Sequence, residues 1–234
     1  MQDIDTRILY IEDCFAVVNK HIGEICETGD NEYSLTEICK PVLESKLGRQ
    51  LAYIEAVHRI DRPVSGCVIL AFDQATAAAL SEQFTSNRVK KRYDAIVEMR
   101  ISRSMITSGR LEHYVLFDNK KQKAFIQNEK KPRTGYKRAV LSWEAAGFTD
   151  NFACLRVFPE TGRTHQIRVQ LAAAGMPIKG DLKYGAKRSE RGGGIRLHAR
   201  RIQFVHPGNG ETLTITAPVE NPDSLWSAFP GETE

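Results

Sequence analysis

Three polar stretches of the 234-residue chain carry side chains that could do chemistry. The first, "AVHRIDRPVSGCVILAF" at residues 56–72, sets Asp61 between Arg59 and Arg62, ahead of an apolar run. Aspartate is frequent in turns that contain proline, so a turn role and a reactive role are both open for Asp61. An arginine beside a carboxylate favours its ionised form, and an ionised carboxylate is suited to act as a nucleophile or a base.

The second stretch is "GRTHQIRVQLAAAG", residues 162–175. Its pattern predicts a helix that ends at Gly175, with Ile167 and Leu171 on one apolar face. His165 and Arg168 are three residues apart, so they share a neighbouring face and could point together into a cleft. A solvated basic face is the simpler interpretation of an isolated histidine–arginine pair.

The third stretch is the basic segment "KKQKAFIQNEKKPRTGYKR", residues 120–138, with eight lysines and arginines against one glutamate. It includes Lys120, Lys121 and Lys123. Such a run is usually a solvated face. Phe125 and Tyr136 lie among the cations, however, and nucleic acids bind where cations meet phosphates and aromatic rings meet bases.

The elements that must position these residues indicate an α+β fold. "SLTEICKPVLESKLG" predicts a helix with a capping box of Ser34 and Glu37, an end at Gly48, and a kink or early stop at Pro41. "CVILAF" predicts a buried strand. From residue 91 onward, short strands separated by turn residues predict a largely antiparallel sheet and not a doubly wound parallel one.

Composition and missing motifs narrow the function. The net charge of +4 permits a polyanionic partner without requiring one, and 41% hydrophobic residues are ordinary for a soluble protein. The five cysteines form no C-x-x-C pair, which speaks against disulfides and zinc. No secretory signal or spanning segment is evident, so we expect a cytoplasmic protein. No phosphate-binding loop, dinucleotide fingerprint, zinc-protease or serine-hydrolase motif occurs.

Five segments together, in this order, resemble the RluA family of pseudouridine synthases. They are "ILYIEDCFAVVNKHIG", "HRIDRPVSGCVILA", "KRYDAIVE", "GRTHQIRVQLAAAGMPIKGDLKYG" and "RLHARRIQFVHPGNGE". The resemblance implies isomerisation of specific uridines in ribosomal or transfer RNA to pseudouridine, without a cofactor. It implies one catalytic domain over residues 1–234, with a mixed, largely antiparallel sheet split by a catalytic cleft into two subdomains. We expect a monomer.

The resemblance also implies roles for single residues. Asp61 corresponds to the catalytic aspartate, as nucleophile or as base, and Arg168 to the arginine that pairs with it. Tyr93 corresponds to the tyrosine that stacks on the target base. Arg59 is expected to contact RNA and occupy the space of the flipped nucleotide, and Lys20 to have a supporting role.

Further residues in the matched motifs and in the basic segment complete the expected RNA contacts. The full predicted RNA-binding set is Arg59, Lys20, His58, Arg163, His165, Lys120, Lys121 and Lys123. Asp181, in "KGDLKYG", is assigned a structural role or a role in an RNA-binding loop.

Three departures from the family pattern leave these roles intact. His21 replaces a proline in the first motif, Pro63-Val64 replaces Asp-Thr after the aspartate, and Glu98-Met99 replaces a glycine. Because the first motif starts by about Arg7, we expect no S4-type RNA-binding segment ahead of it. A catalytically idle RNA-binding protein on the same fold is the alternative. Retention of both the aspartate and its arginine favours the enzyme, and the missing glycine-rich loop argues against a methyltransferase.

Overall fold

A computed structural model describes residues 4–26, 34–127, 132–190 and 192–229 of the chain. Part of the basic segment, residues 128–131 with Lys130 and Lys131, lies outside the described residues.

The described residues form eleven strands and four α-helices, with short 3-10 helices at Ile4–Arg7, Arg103–Met105 and Leu182–Tyr184. In chain order they are β1 (Ile8–Ile11), β2 (Phe15–Lys20), α1 (Leu35–Leu47), β3 (Glu55–Ala56), β4 (Ser65–Ala71), α2 (Gln74–Thr85), β5 (Lys90–Glu98), β6 (Ser108–Asp118), β7 (Lys123–Gln127), β8 (Lys137–Phe148), β9 (Phe152–Pro159), α3 (Gln166–Ala173), β10 (Leu197–Val205), β11 (Thr212–Thr216) and α4 (Ser224–Ser227). The predicted α+β class is confirmed.

The chain divides into two compact units. Unit one comprises Met1–Lys91 and Ala199–Pro218, and unit two comprises Arg92–His198 and Val219–Glu234. A single domain whose subdomains share one sheet stays a prediction.

Unit one is built on a sheet in the order β1-β2-β4-β10, with β3 paired to β4 and β11 to β10. All six residues of β2 are buried, and so are six of the seven in β4. The core packs Phe15, Ile69 and Phe204 against Leu80 of α2. The predicted buried strand "CVILAF" is therefore confirmed, and the segment that follows Asp61 is rigidly held.

Helix α1 begins and ends as the sequence predicts. Ser34 and Glu37 form the capping box, and Gly48 closes the helix in the left-handed conformation at φ 63°. The expected early stop at Pro41 is wrong, because the helix continues through it to Leu47. Caps at both ends, together with burial of Leu35 and Leu43, offset the hydrogen bond that proline cannot donate.

Unit two holds a sheet in the order β5-β9-β8-β6-β7. Its described pairs β5–β9, β8–β9, β6–β8 and β6–β7 are all antiparallel. Helix α3 packs its Val169 against Val115 of β6, Ala124 of β7 and Ala139 of β8.

Helix α3 differs from its prediction. It runs only from Gln166 to Ala173, and residues 166–171 are all buried, so no single apolar stripe exists. His165 caps its start with φ 57°, a conformation uncommon outside glycine. The end is as predicted: Gly175 has φ 78°, and the N–H of Met176 donates to the carbonyl of Leu171.

None of the helices in the described part of the chain is long and apolar enough to cross a membrane.

Candidate active site

Asp61 lies in a tight turn that leads directly into β4. The N–H of Val64 donates to the Asp61 carbonyl at 2.9 Å, which leaves Arg62 and Pro63 as the central residues. Pro63 has no N–H to satisfy, so its substitution into the family pattern costs the turn no donor. Val64 is only 2% exposed and anchors the turn in the core, whereas the Asp61 side chain is partly exposed.

The Asp61 turn is tied to the segment that follows β2. The ammonium of Lys20 donates to the carbonyls of His21 at 2.9 Å, Glu24 at 2.8 Å and Arg62 at 3.3 Å. The N–H of Gly23 also donates to the Arg62 carbonyl, and Arg62 Nε donates back to the Gly23 carbonyl. These bonds fix the backbone beside Asp61.

Lys20 therefore has a supporting position and not an exposed one. Its side chain is fully buried. Burial lowers the pKa of Lys20 to about 8, although the charges of Cys26, Glu24 and Asp61 act in the opposite direction. The burial does not support the predicted contact with RNA. It supports a role in holding the Asp61 turn.

His58 is also used within the fold. Its Nε2 accepts the N–H of Ile69 at 3.2 Å, and its ring stacks on Phe84 with centroids 4.5 Å apart. Burial, with a smaller effect from the charge of Lys91, lowers the pKa of His58 to about 3. The ring is thus neutral at physiological pH, and the predicted RNA contact of His58 gains no support.

The cations on either side of Asp61 point outward. Arg59 and Arg62 are exposed, while Ile60 and Val64 are buried. This alternation keeps the turn anchored in the core and presents positive charge at its surface. The placement of Arg59 suits the predicted contact with RNA.

Tyr93 lies on β5 of unit two, opposite Val157 of β9, and is partly buried. Side chains alternate along a strand, so Tyr93 points away from its neighbours Arg92 and Asp94. Those two form an ion pair at 3.3 Å on the other face. The ring of Tyr93 is therefore carried by a strand that is paired and braced on its reverse side.

Arg168 is buried in α3 and is clamped by a carboxylate that the sequence did not single out as its partner. Arg168 Nε donates to Asp181 Oδ2 at 2.7 Å, and Nη2 donates to Oδ1 at 2.9 Å. Asp181 is only 1% exposed. Asp181 thus makes a bidentate, two-pronged ion pair with Arg168, and this contact is consistent with the structural role predicted for it.

Tyr184 forms a second support for Arg168. Its ring centroid lies 5.1 Å from Arg168 Cζ. Its hydroxyl accepts the N–H of Ala124 at 2.6 Å and lies 2.8 Å from His165 Nδ1. His165 is therefore engaged through its Nδ1 within unit two. The signal for Asp181 and Tyr184 was present in "KGDLKYG", but spacing alone does not reveal what they contact.

The three predicted lysines lie at the turn between β6 and β7. Asp118 Oδ1 accepts the N–H groups of Lys120 at 2.9 Å and Lys121 at 3.1 Å, which shapes the turn and leaves both side chains exposed. Lys121 lies over Phe125 at 5.3 Å, and Lys123 lies over the ring of Tyr184 at 5.4 Å.

Lys183 belongs to the same surface and was missed by the sequence reasoning. Its ammonium donates to the carbonyl of Gln122 at 2.7 Å, in the turn between β6 and β7. Arg163 is exposed, and its Nε donates to the carbonyl of Arg138 at 3.1 Å. These contacts place several cations of unit two on its surface.

The predicted residues thus fall into two groups. In unit one, Lys20 and Asp61 belong to one bonded turn, with Arg59 exposed beside it. In unit two, Arg168, His165 and Lys123 are linked through Tyr184, with Lys120 and Lys121 at the nearby strand turn. Among the residues that the structure describes, no group of three or more His, Cys, Asp and Glu is placed to hold a metal ion.

The described residues thus offer a carboxylate on a fixed turn, a buried arginine paired with a second carboxylate, and exposed lysines that could contact phosphates. A family model described as RNA pseudouridylate synthase matches residues 14–173. The chain belongs to this family, whose members are isomerases, and the resemblance seen in the sequence is confirmed.

Relatives agree with this assignment, and a solved structure has a similar fold. The chain is 30% identical over 229 residues to ribosomal large subunit pseudouridine synthase C of Buchnera aphidicola subsp. Acyrthosiphon pisum, covering 92% of this chain and 67% of that protein. It is 31% identical over 217 residues to the dual-specificity RNA pseudouridine synthase RluA of Escherichia coli K12, covering 91% and 93%. The fold is similar to human RNA pseudouridylate synthase domain containing 4, with a TM-score of 0.74, 23% identity, and 93% and 90% coverage.

Proposed function

We propose that this RNA pseudouridine synthase uses Asp61 as its catalytic residue. The observation that carries the proposal is the position of Asp61 in a turn whose backbone is held by Val64, Gly23 and Lys20. Catalysis depends on holding a reacting group in one geometry, because a small displacement is costly. Asp61 combines such a fixed backbone with a partly exposed carboxylate.

The chemistry needs one carboxylate and no external reagent. The bond between the ribose C1′ and the uracil N1 breaks, the uracil turns, and C1′ bonds to C5. C5 then loses its proton and N1 gains one through exchange with water, so the product is an isomer of the substrate. Asp61 acts either as the nucleophile at C1′ or as the base that assists cleavage. A hydrolase would instead normally use a pair of carboxylates, one as acid and one as base or nucleophile.

The uridine must leave the base stack before it can react. Flipping costs a few kcal/mol and is easiest in loops of structured RNA. Stacking of the base on Tyr93 would return about 1–3 kcal/mol. In this proposal Arg59 occupies the space that the flipped nucleotide leaves, and Arg168 serves as the active-site arginine that the family resemblance implies.

We propose ribosomal or transfer RNA as the substrate, since the relatives named above act on ribosomal RNA or carry the name dual-specificity RNA pseudouridine synthase. Lys120, Lys121 and Lys123, with Arg163, supply surface charge for the phosphates. We place the protein in the cytoplasm, where these RNAs are found. A monomer remains our proposal for its oligomeric state.

Asp61→Asn tests the catalytic role. We expect pseudouridine formation to fall by about 10³-fold or more, since proton transfer or covalent attack is lost. RNA affinity should change by less than about threefold, because phosphate contacts supply most of it. Pseudouridine mapping of total RNA from cells with and without the gene identifies the substrate, and single-turnover assays on that RNA give the rate.

The control is Asp223→Asn, since Asp223 lies in a separate ion pair with Arg196. It should keep the wild-type rate. Substantial turnover by the Asp61→Asn protein would show that Asp61 is not the catalytic residue. The wild-type protein could bind RNA while cells that lack the gene keep every pseudouridine. That result would favour the alternative of a catalytically idle RNA-binding protein.

A further inference from the structure

We propose that Asp181 is a positioning residue for catalysis, which acts by holding the guanidinium of Arg168 in one orientation. The proposal rests on the proposed role of Arg168 and goes beyond it, because it names what fixes that arginine. The carboxylate binds Arg168 Nε and Nη2 at 2.7 and 2.9 Å. A two-pronged contact fixes the plane of the guanidinium as well as its position.

The pair is shielded from water. Arg168 is 5% exposed and Asp181 is 1% exposed. A buried ion pair is weak evidence for added stability, since removing two charges from water costs about as much as their attraction returns. A buried pair that contains a proposed active-site arginine is therefore better explained by geometry than by stability.

The geometry of Asp181 is itself set by its own loop. Its N–H donates to the carbonyl of Ile178 at 3.0 Å, and its carbonyl accepts the N–H groups of Tyr184 at 3.1 Å and Ala186 at 3.0 Å. The carboxylate therefore projects from a closed turn. The fixed backbone of Asp181 therefore gives its carboxylate a defined position for binding Arg168.

Tyr184 limits the remaining freedom of the guanidinium. Its ring lies over Arg168 Cζ at 5.1 Å, while its hydroxyl is held by Ala124 and His165. Asp181 contacts one edge of the guanidinium, and the ring of Tyr184 lies within cation–π distance of its Cζ. Together they hold the guanidinium of Arg168 in one orientation.

Asp181→Asn removes the charge but keeps the size of the side chain. We expect the single-turnover rate to fall by about 10²-fold, the loss expected for a reacting group displaced by about an ångström. RNA affinity should stay within about threefold of wild type, since Asp181 is buried and contacts no phosphate. Asp223→Asn is the matched control, as Asp223 also binds an arginine of unit two through two bonds, at 3.1 and 2.6 Å.

A double-variant cycle separates positioning from a general loss of structure. Lysine keeps a positive charge beside Asp181 but cannot make the two-pronged contact. The Arg168→Lys protein should therefore fold, bind RNA and lose rate. Adding Asp181→Asn to it should cost less than about threefold more, because Asp181 acts through the guanidinium. The proposal would be overturned if the rate losses of Arg168→Lys and Asp181→Asn multiply in the double variant. It would also be overturned if Asp223→Asn loses as much rate as Asp181→Asn.

Hydrogen exchange at Arg168 Nε can be measured without turnover, so it tests this inference separately from the proposed function. The Arg168 Nε–H signal, assigned by its loss in Arg168→Lys, should exchange slowly with water in the wild-type protein and about tenfold faster or more in Asp181→Asn, once the charged acceptor is lost. Equal exchange rates of this N–H in both proteins would show that Asp181 does not hold the guanidinium of Arg168. An inactive wild-type protein with the slow signal would refute the proposed function alone.

Discussion

At the scale of single residues, Lys20 shows how burial changes what a cation can do. The sequence places it in a motif with a supporting role and also among RNA-binding residues. Its three acceptors are backbone carbonyls at residues 21, 24 and 62. Two of these are local and the third is 42 residues away, so only the folded chain reveals that Lys20 ties the Asp61 turn in place.

Lys20 also makes the stability of the fold depend on pH. Its pKa is lowered to about 8 in the folded protein from an ordinary value of 10.5. Between these values the unfolded chain binds more protons, so the free energy of unfolding rises with pH. The pH-dependent part of the Lys20 contribution is absent below pH 8 and complete above 10.5, and it reaches up to about 3 kcal/mol.

Urea unfolding of wild type and Lys20→Met at pH 7, 8, 9 and 10 measures this effect. Lys20→Met is less stable throughout because three carbonyls lose their donor. Its deficit should grow as the pH rises above 8. Lys40→Met, at a partly exposed position of α1, is the comparison variant. A deficit for Lys20→Met that stays constant with pH would contradict the prediction.

The sequence could identify Asp61, Arg168 and Tyr93 as candidates, because each belongs to a recognisable motif. It could not identify the pairing of Arg168 with Asp181. The two residues are thirteen positions apart, and the loop that brings them together has no periodic pattern. The same holds for Tyr184, whose contacts with Ala124 and Arg168 depend on how α3 packs on the sheet.

At the scale of elements, β4 is the strand that carries the Asp61 turn, and Gly66 is its second residue. Gly66 has φ +118°, and a Cβ there would collide with the backbone of Ala199 in the neighbouring strand β10. Glycine is therefore required both for the backbone conformation and for the close approach of the two strands.

Gly66→Ala should destabilise the protein by roughly 3 kcal/mol or more, since backbone strain and a clash with main-chain atoms add. Gly210→Ala isolates the strain, because Gly210 has φ +77° with open space around it. That variant should lose only about 1–2 kcal/mol. Urea unfolding of both proteins gives the comparison, and equal losses would show that the approach of β10 is not what selects glycine.

The elements also show where local patterns succeed and fail. The caps of α1 were predicted because Ser34, Glu37 and Gly48 act within a few residues of one another. The amphipathic face predicted for α3 was wrong, because tertiary packing buries six consecutive residues of this short helix. Amphipathic spacing describes a helix with one side in water, which α3 does not have.

At the scale of the whole molecule, the net charge of +4 does not say where the cations lie. Many arginines are used in ion pairs: Arg110 and Arg138 both contact Glu112. Lys120 and Lys121 instead extend from a turn whose backbone is fixed by Asp118. The composition permitted an RNA partner, and this surface offers the exposed charge that such a partner would use.

Replacing Lys120, Lys121 and Lys123 together by glutamine tests that surface. Each phosphate contact contributes about 0.7 to the slope of log affinity against log salt for a single strand, so three contacts predict a slope shallower by about 2. Rates with RNA bound at saturation should stay close to wild type, because the reacting groups are untouched. RNA binding at several salt concentrations measures the slope.

A control variant removes equal charge from unit one, by changing Lys40, Lys46 and Arg88 together to glutamine. It should leave the slope nearly unchanged. Identical slopes for the wild-type protein and the Lys120/Lys121/Lys123 variant would show that the basic segment is a solvated face that does not contact RNA. Target selection would then depend on Arg59 and Arg163.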